Sequence, residues 1–188
     1  MNKPLLLIIT GRPGAGKTTL ADQLCRDWYL PMVSRDRIKE GYVHTLGNYH
    51  DSLPEDSNLQ ATNLFFESIQ FLINNGISCI AEAAFQHKLW AERLKPFQNA
   101  ACIHILLCHI DGQLALDRFL QRGLNEPMRM RFHGDKGVRM MQEGIAPQVG
   151  PYEEPHMNLP LHRIDTTDGY QPTLEEVRKV IFEQETRY

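Results

Sequence analysis

Residues Gly11-Arg12-Pro13-Gly14-Ala15-Gly16-Lys17-Thr18 fit the pattern G-x-x-x-x-G-K-[ST] without departure. This is the P-loop, or Walker A motif, which holds phosphate groups. Each residue type has a task in it. Glycines let backbone N–H groups turn inward around a phosphate. A helix opening at Lys17 aims its positive end at the same phosphate. The Lys17 ammonium is placed to neutralise β- and γ-phosphate charge and the Thr18 hydroxyl to ligate Mg²⁺, with Thr19 continuing the site. The spacing of Gly11, Gly14 and Gly16 is G-x-x-G-x-G, not the G-x-G-x-x-G of dinucleotide binders. No N-K-x-D is present to specify guanine. The apolar run 77–85 offers one acid, Glu82, where motor-type ATPases usually carry two. These exclusions leave a small kinase.

Three further groups complete a candidate phosphoryl-transfer site. Asp36 lies in Ser34-Arg35-Asp36-Arg37-Ile38-Lys39, directly after a short apolar run. A carboxylate at the carboxyl edge of a parallel sheet sits where ligands of open α/β sheets bind. There it can accept the proton of a substrate hydroxyl attacking the γ-phosphorus. Arg35, Arg37 and Lys39 surround it with positive charge suited to an anionic substrate. The competing reading makes Asp36 a helix N-cap and the basic residues a solvated face. Glu82 ends a strand-like run and is placed to hold a Mg²⁺-bound water or a substrate group; a solvated strand end is the alternative. The third group is Arg118, Arg122, Arg129, Arg131, His133, Lys136 and Arg139. Between 118 and 139, six Lys/Arg face only Glu126 and Asp135, a local charge of +4 in a chain of net charge −3. Arg118 and Arg122 are four apart and share a helix face. Arginines on a mobile lid can meet the charge that phosphoryl transfer concentrates. The alternative is a solvated basic face.

The elements that must position these residues alternate. Strand-like runs fall at 5–10, 30–34, 77–85, 101–110 and 161–166. Helical patterns fall at 17–27, 36–44, 57–74, 86–98, 111–123 and 173–185, with a short one at 135–142. Residues 46–57 and 124–134 read as loops, and 146–160, with four prolines, as irregular. Apolar strands alternating with helices predict an α/β, three-layer fold, a parallel sheet with helices on both faces. The 188 residues suit one domain, with a basic lid at about 118–139. Apolar residues at 42% and charged residues at 23% exclude wholesale disorder. The acidic balance argues against long nucleic-acid contacts and against membranes. No apolar run has the length of a secretory signal or a membrane span. Cys25, Cys79, Cys102 and Cys108 lack pairing or zinc spacing, so a reducing, cytoplasmic setting is expected. His104 and His109 give no metal signature, and Trp90, Phe97 and the Phe65-Phe66 pair read as core.

Taken together, the P-loop, Asp36 in Ser-Arg-Asp-Arg, the strand end Glu82-Ala83-Ala84-Phe85 and the pair Arg118/Arg122 resemble small P-loop kinases. The group includes the polynucleotide 5′-hydroxyl kinase domain, the zeta toxins and chloramphenicol phosphotransferase, the AAA-family ATPase-like kinases. The tail Ile164 to Gly169, with a helix after Pro172, resembles their last strand and helix. The resemblance covers the chain in outline; its specific part is the P-loop. It implies the strand order 2-3-1-4-5, Asp36 as general base, and a lid arginine, Arg118 or Arg122, as phosphate clamp. Two features depart from the group: its usual strand-three Asp is Glu82 here, and its following hydroxyl or amide residues are Ala83 and Ala84. The expected activity is ATP-dependent, Mg²⁺-requiring phosphoryl transfer to a hydroxyl of a small molecule or nucleotide-like acceptor. ATP would lie on Gly11–Thr19. The acceptor would sit between Asp36, Glu82 and residues 41–57, with Arg129 and Arg131 also in reach. Alternatives are an ATP-binding regulator with little or no hydrolysis, which needs no base, and a nucleic-acid 5′-end kinase.

Overall fold

Five parallel strands form one sheet: β1 (Leu5–Thr10), β2 (Met32–Ser34), β3 (Cys79–Glu82), β4 (Cys102–His109) and β5 (Leu161–Asp165). Their order is β2-β3-β1-β4-β5, the order the resemblance implies. The computed structural model describes residues 3–47 and 49–185; Asn48, within the loop expected at 46–57, lies outside the described residues.

The central strand shows why the sheet is covered on both faces. Every residue of β1 is buried. Leu5, Leu7 and Ile9 join one apolar cluster with Leu20 and Leu24 of α1 (Lys17–Trp28) and Val177 and Ile181 of α8 (Leu174–Glu185). Leu6 and Ile8 join another with Phe65 and Ile69 of α3 (Ser57–Asn74) and Trp90 of α4 (His87–Arg93). Alternate side chains thus point to opposite layers. Each buried Leu, Ile or Phe contributes roughly 1.5–3 kcal/mol, so both layers are held by the same strand. Trp90, buried in the second layer, donates its indole N–H to Thr10 Oγ1 at 3.0 Å. That bond ties the end of β1 to α4 just before the P-loop. No helix among the described residues is long and apolar enough to cross a membrane.

Several boundaries differ from expectation. The second strand begins at Met32, after Pro31, which has no N–H for a ladder. The helix expected to reach residue 98 ends at Arg93, and a 3₁₀ turn containing Pro96 follows at Lys95–Phe97. The largest difference is 124–134, which is not a loop. Here α5 (Gly112–Asn125) ends, α6 (Pro127–His133) begins with proline in its first turn, and Gly134 closes it at φ 57°. A third helix, α7 (Lys136–Gln142), follows. The basic composition of α6 hides its packing against α2 (Arg35–Leu46). The Phe132 ring lies 4.8 Å from the His44 ring, and His133 Nε2 lies 3.1 Å from Glu40. Arg139 of α7 also pairs with Asp51, in the 3₁₀ turn His50–Ser52, at 2.5 Å.

Candidate active site

The P-loop joins β1 to α1. Gly14 and Gly16 take left-handed backbone at φ 82° and 77°, where side chains with a β-carbon are strained. A β-carbon on Gly14 would also collide with the carbonyl of Ala115 in α5. Thr166, after β5, has its hydroxyl 3.1 Å from the Ala15 carbonyl and buttresses the loop from behind. The Lys17 side chain, only 8% exposed, arches back to donate to the Arg12 carbonyl at 3.0 Å. Burial pulls its pKa down, opposed chiefly by the charge of Glu82.

Sheet register brings the second carboxylate to this loop. Glu82 pairs with Ile9 on one side and Ser34 on the other. It is 2% exposed, so it is not a solvated strand end. Its carboxylate accepts from Ser34 Oγ at 2.7 Å and from Thr18 Oγ1 at 3.4 Å. Burial pushes the Glu82 pKa above its ordinary 4.5, with Lys17 and the Ser34 bond pulling the other way. The hydroxyl of Thr18 beside a carboxylate oxygen is a donor set suited to Mg²⁺. This ion keeps several waters and needs only one or two protein ligands beside substrate phosphates.

The raised Glu82 pKa gives a stability test. A carboxyl that titrates higher when folded stabilises below its unfolded pKa, and that contribution is lost as pH rises through the folded value. The net shift is upward although Lys17 is near, so neutralising Glu82 favours the fold at neutral pH. Without nucleotide or divalent ions, Glu82→Gln should melt higher than wild type at pH 8, and the gap should close toward pH 4. Each kcal/mol recovered raises Tm by about 2–4 °C. A variant that melts at or below wild type at pH 8 would contradict the burial cost.

Asp36 lies in the first turn of α2, whose N-cap residue is Ser34, and makes no capping bond. The capping reading of Asp36 is therefore removed. Its carboxylate is 56% exposed and lines a cleft with Gly16, Lys17, Thr18, Thr19, Glu82 and Arg122. Pro13 and Gly14 border the cleft too, as do Arg35, Lys39, Arg129 and His133. The Arg122 Nε is buried without a hydrogen-bond partner among the described residues. Burial, then the neighbouring Arg129, pulls its pKa down. Arg129 is held by Asp135 at 2.5 Å and lies over the Phe119 ring at 5.9 Å.

Four expected site side chains lie elsewhere. Arg118 shares a helix with Arg122 but donates to the carbonyls of Thr166 and Thr167 at 2.9 and 2.7 Å, away from the cleft. Spacing four apart fixes a face but not the partners that pull a long side chain along it. Arg37 is bidentate on Asp22 of α1 at 2.8 and 2.9 Å and faces an adjoining cleft. Arg131 lies over the Phe132 ring at 5.4 Å and is not among the residues lining the cleft. The Arg12 guanidinium lies over the Tyr152 ring at 5.7 Å, leaving only its backbone in the loop. Conversely, His50, Phe119 and Phe132 line the cleft without having been singled out. Neither motif nor spacing marks them; each arrives by packing of α5, α6 and the 50–52 turn.

A family model described as an AAA domain matches residues 6–143. The chain belongs to this AAA-domain family. No curated protein matches it in sequence. Among solved structures, it is similar to a presumed kinase from Chloroflexus aurantiacus at TM-score 0.75 and 23% identity, over 100% of both chains. A gluconokinase from Sinorhizobium meliloti superposes at TM-score 0.60 and 11% identity, over 100% of this chain and 99% of that one. The Mycobacterium tuberculosis APS kinase, in complex with AMPPNP and APS, superposes at 0.58 and 17%, over 98% of each. The fold is therefore that of P-loop kinases, as the P-loop, Asp36 and Glu82 suggest in the sequence.

If the basic helices act as a lid, their order depends on bound anion. Among the contacts that dock them, Arg139–Asp51 is a half-exposed ion pair, worth only ~0.2–1 kcal/mol, and His133 reaches Glu40 at 3.1 Å beside the Phe132–His44 ring contact. In hydrogen exchange with and without an ATP analogue and Mg²⁺, amides of 127–142 should gain protection of about tenfold or more on binding, while β4 should not change. Equal protection of 127–142 in both states would count against the lid.

Proposed function

We propose that the protein is an ATP-dependent, Mg²⁺-requiring phosphotransferase that moves the γ-phosphoryl group of ATP to a hydroxyl of a small molecule. The observation that carries this reading is Asp36: its carboxylate faces the same cleft as Lys17, Thr18 and Arg122. A protein that only bound nucleotide would need no carboxylate at that place, which disfavours the regulator. The P-loop N–H groups and the start of α1 bind the phosphates. Lys17 exchanges the Arg12 carbonyl for phosphate oxygen. Thr18 and Glu82 would hold Mg²⁺, which when bound neutralises charge on the phosphates. Asp36 accepts the proton of the attacking hydroxyl. Arg122, with its unpartnered Nε, and Arg129 stabilise the transferring group. We take residues 1–188 as one domain in which 118–139 serves as the lid.

The test is a panel of hydroxyl compounds incubated with ATP and Mg²⁺, with ADP release and product mass as readouts. At least one compound should raise ADP release well above the rate without acceptor and gain the mass of one phosphoryl group. ADP release unchanged across the panel, with no phosphorylated product, would move the reading to the regulator.

A further inference from the structure

The acceptor side of the cleft holds positive charge for which phosphoryl transfer itself has no use. Lys39, in the second turn of α2, is 8% exposed. Its ammonium lies 2.7 Å from His50 Nε2 and 2.7 Å from Asn58 Oδ1. Neither partner is an anion, and among the described residues Lys39 forms no ion pair. Arg35, one helical turn earlier, donates to the same Asn58 Oδ1 at 2.8 Å. Its Nη1 reaches Asp36 at 3.3 Å, and its Nε is buried with no hydrogen-bond partner. Two buried or half-buried cations therefore share one neutral amide oxygen at the start of α3. Burying a charge without a counter-charge is costly. Burial, and then the charge of Arg35, pulls the Lys39 pKa down. The nearby carboxylates relieve the pair only in part: Asp36, which pairs with Arg35 at 3.3 Å, is more than half exposed, and Asp51 is engaged by His50 and Arg139. A fold has no structural reason to keep such a pair, but an anion between Arg35 and Lys39 would satisfy both.

We propose that Arg35 and Lys39, held by Asn58 and His50, form an anion subsite, so that the phosphate acceptor is a hydroxyl compound carrying an anionic group of its own. The helix sets the distance between that group and the reacting hydroxyl. Asp36 and Lys39 are three residues apart, so their β-carbons lie ~5–6 Å apart on one face. A hydroxyl at Asp36 and an anion at Lys39 then fit on one compound of a few carbons. Its anion is either a carboxylate or a phosphate ester, which offer the same oxygens to a guanidinium and an ammonium. The role of the hydroxyl rests on the phosphotransferase reading. The subsite itself rests on α2, α3 and the turn His50–Ser52 between them.

The experiment uses the full chain saturated with a non-hydrolysable ATP analogue and Mg²⁺, so that the P-loop is filled. Binding of matched three- and six-carbon compounds is measured by calorimetry: glycerol, glycerate and glycerol 3-phosphate, then glucitol, gluconate and glucose 6-phosphate. At least one anion should bind about tenfold or more tightly than its neutral match, the worth of a charge-assisted hydrogen bond. Lys39→Met and Arg35→Gln should each remove most of that preference without changing affinity for the neutral compound. A carboxylate preferred over its phosphate ester, or the reverse, identifies the anion. Lys39→Met should also melt no lower than wild type, because it removes an uncompensated buried charge. Equal binding of anionic and neutral compounds, or an anion preference that survives both substitutions, would overturn the subsite. If anions bind in a Lys39-dependent way but no compound is phosphorylated when ATP replaces the analogue, the phosphotransferase reading falls and the subsite stands. If neutral compounds are phosphorylated as well as anions, the subsite falls and the phosphotransferase reading stands.

Discussion

Lys17→Ala should abolish nucleotide turnover and leave the fold intact. Lys17 is 8% exposed, and among the described residues its ammonium donates only to the Arg12 carbonyl within its own loop, so no other element is held by that bond. Its loss leaves Glu82 without the nearest cation. Glu82 still accepts from Ser34 at 2.7 Å. Chemistry is affected more. Removing one preorganised donor from a developing anion costs ~10²–10³ in rate, and Lys17 also brings a full charge to the β- and γ-phosphates. Turnover should therefore fall by at least that factor, with nucleotide affinity weakened as well. Circular dichroism should match wild type. Wild-type turnover in a folded Lys17→Ala protein would remove Lys17 from the chemistry.

Asp36→Asn should separate binding from transfer. The substitution keeps size and hydrogen bonding but removes the proton acceptor. Nucleotide affinity should hardly change, because on the proposed reading Asp36 meets the acceptor and not the nucleotide. Transfer to a hydroxyl acceptor should fall by ~10²–10⁴, or ~3–5 kcal/mol of barrier. Stability should change little. Asp36 caps nothing, and an acid in the first helical turn contributes only ~0.3–1 kcal/mol through the helix dipole. The paired readout is calorimetric binding of an ATP analogue and mass analysis of the phosphorylated product. Retained binding with lost transfer supports the base. Unchanged transfer would remove Asp36 from the mechanism and leave Glu82 and Asp135, the latter already paired with Arg129, as the carboxylates lining the cleft.

Some of this architecture was legible in the chain because it is written in local patterns. The P-loop needs left-handed glycines, a preceding apolar strand and a following helix, and all three lie within residues 5–28. The apolar strands announce a sheet buried on both faces, since five consecutive apolar residues at 5–9 leave no side for water. The phosphate site is local for the same reason: it consists of the backbone of one turn and the first residues of one helix. Asp36 and Glu82 could be singled out because parallel strands place their ends at a common edge. Pairing of Ser34 and Ile9 with Glu82 then sets those ends beside the P-loop.

What the sequence by itself determined is therefore the phosphate cradle, the α/β class and the carboxylates at the sheet edge. Each follows from periodicity or from the conformations that glycine and proline permit. Tertiary structure alone decided which basic side chains face the cleft. Arg118 and Arg122 are indistinguishable by spacing, yet Arg118 satisfies two backbone carbonyls after β5 while Arg122 lines the cleft with a buried Nε that has no hydrogen-bond partner among the described residues. Arg37 and Arg35 flank the same Asp36, yet Arg37 turns outward to Asp22, and Arg35 turns inward to Asn58. Long cationic side chains reach many partners, and an exposed ion pair differs from its alternatives by under about 1 kcal/mol. Their direction is set by whichever acceptor the packed helices bring within about 3 Å, and that acceptor comes from a distant part of the chain. For the same reason α6 could not be told from a loop. Its composition is that of a solvated segment, and its helix is held by Phe132 against His44 and by His133 against Glu40, contacts that exist only once α2 is in place.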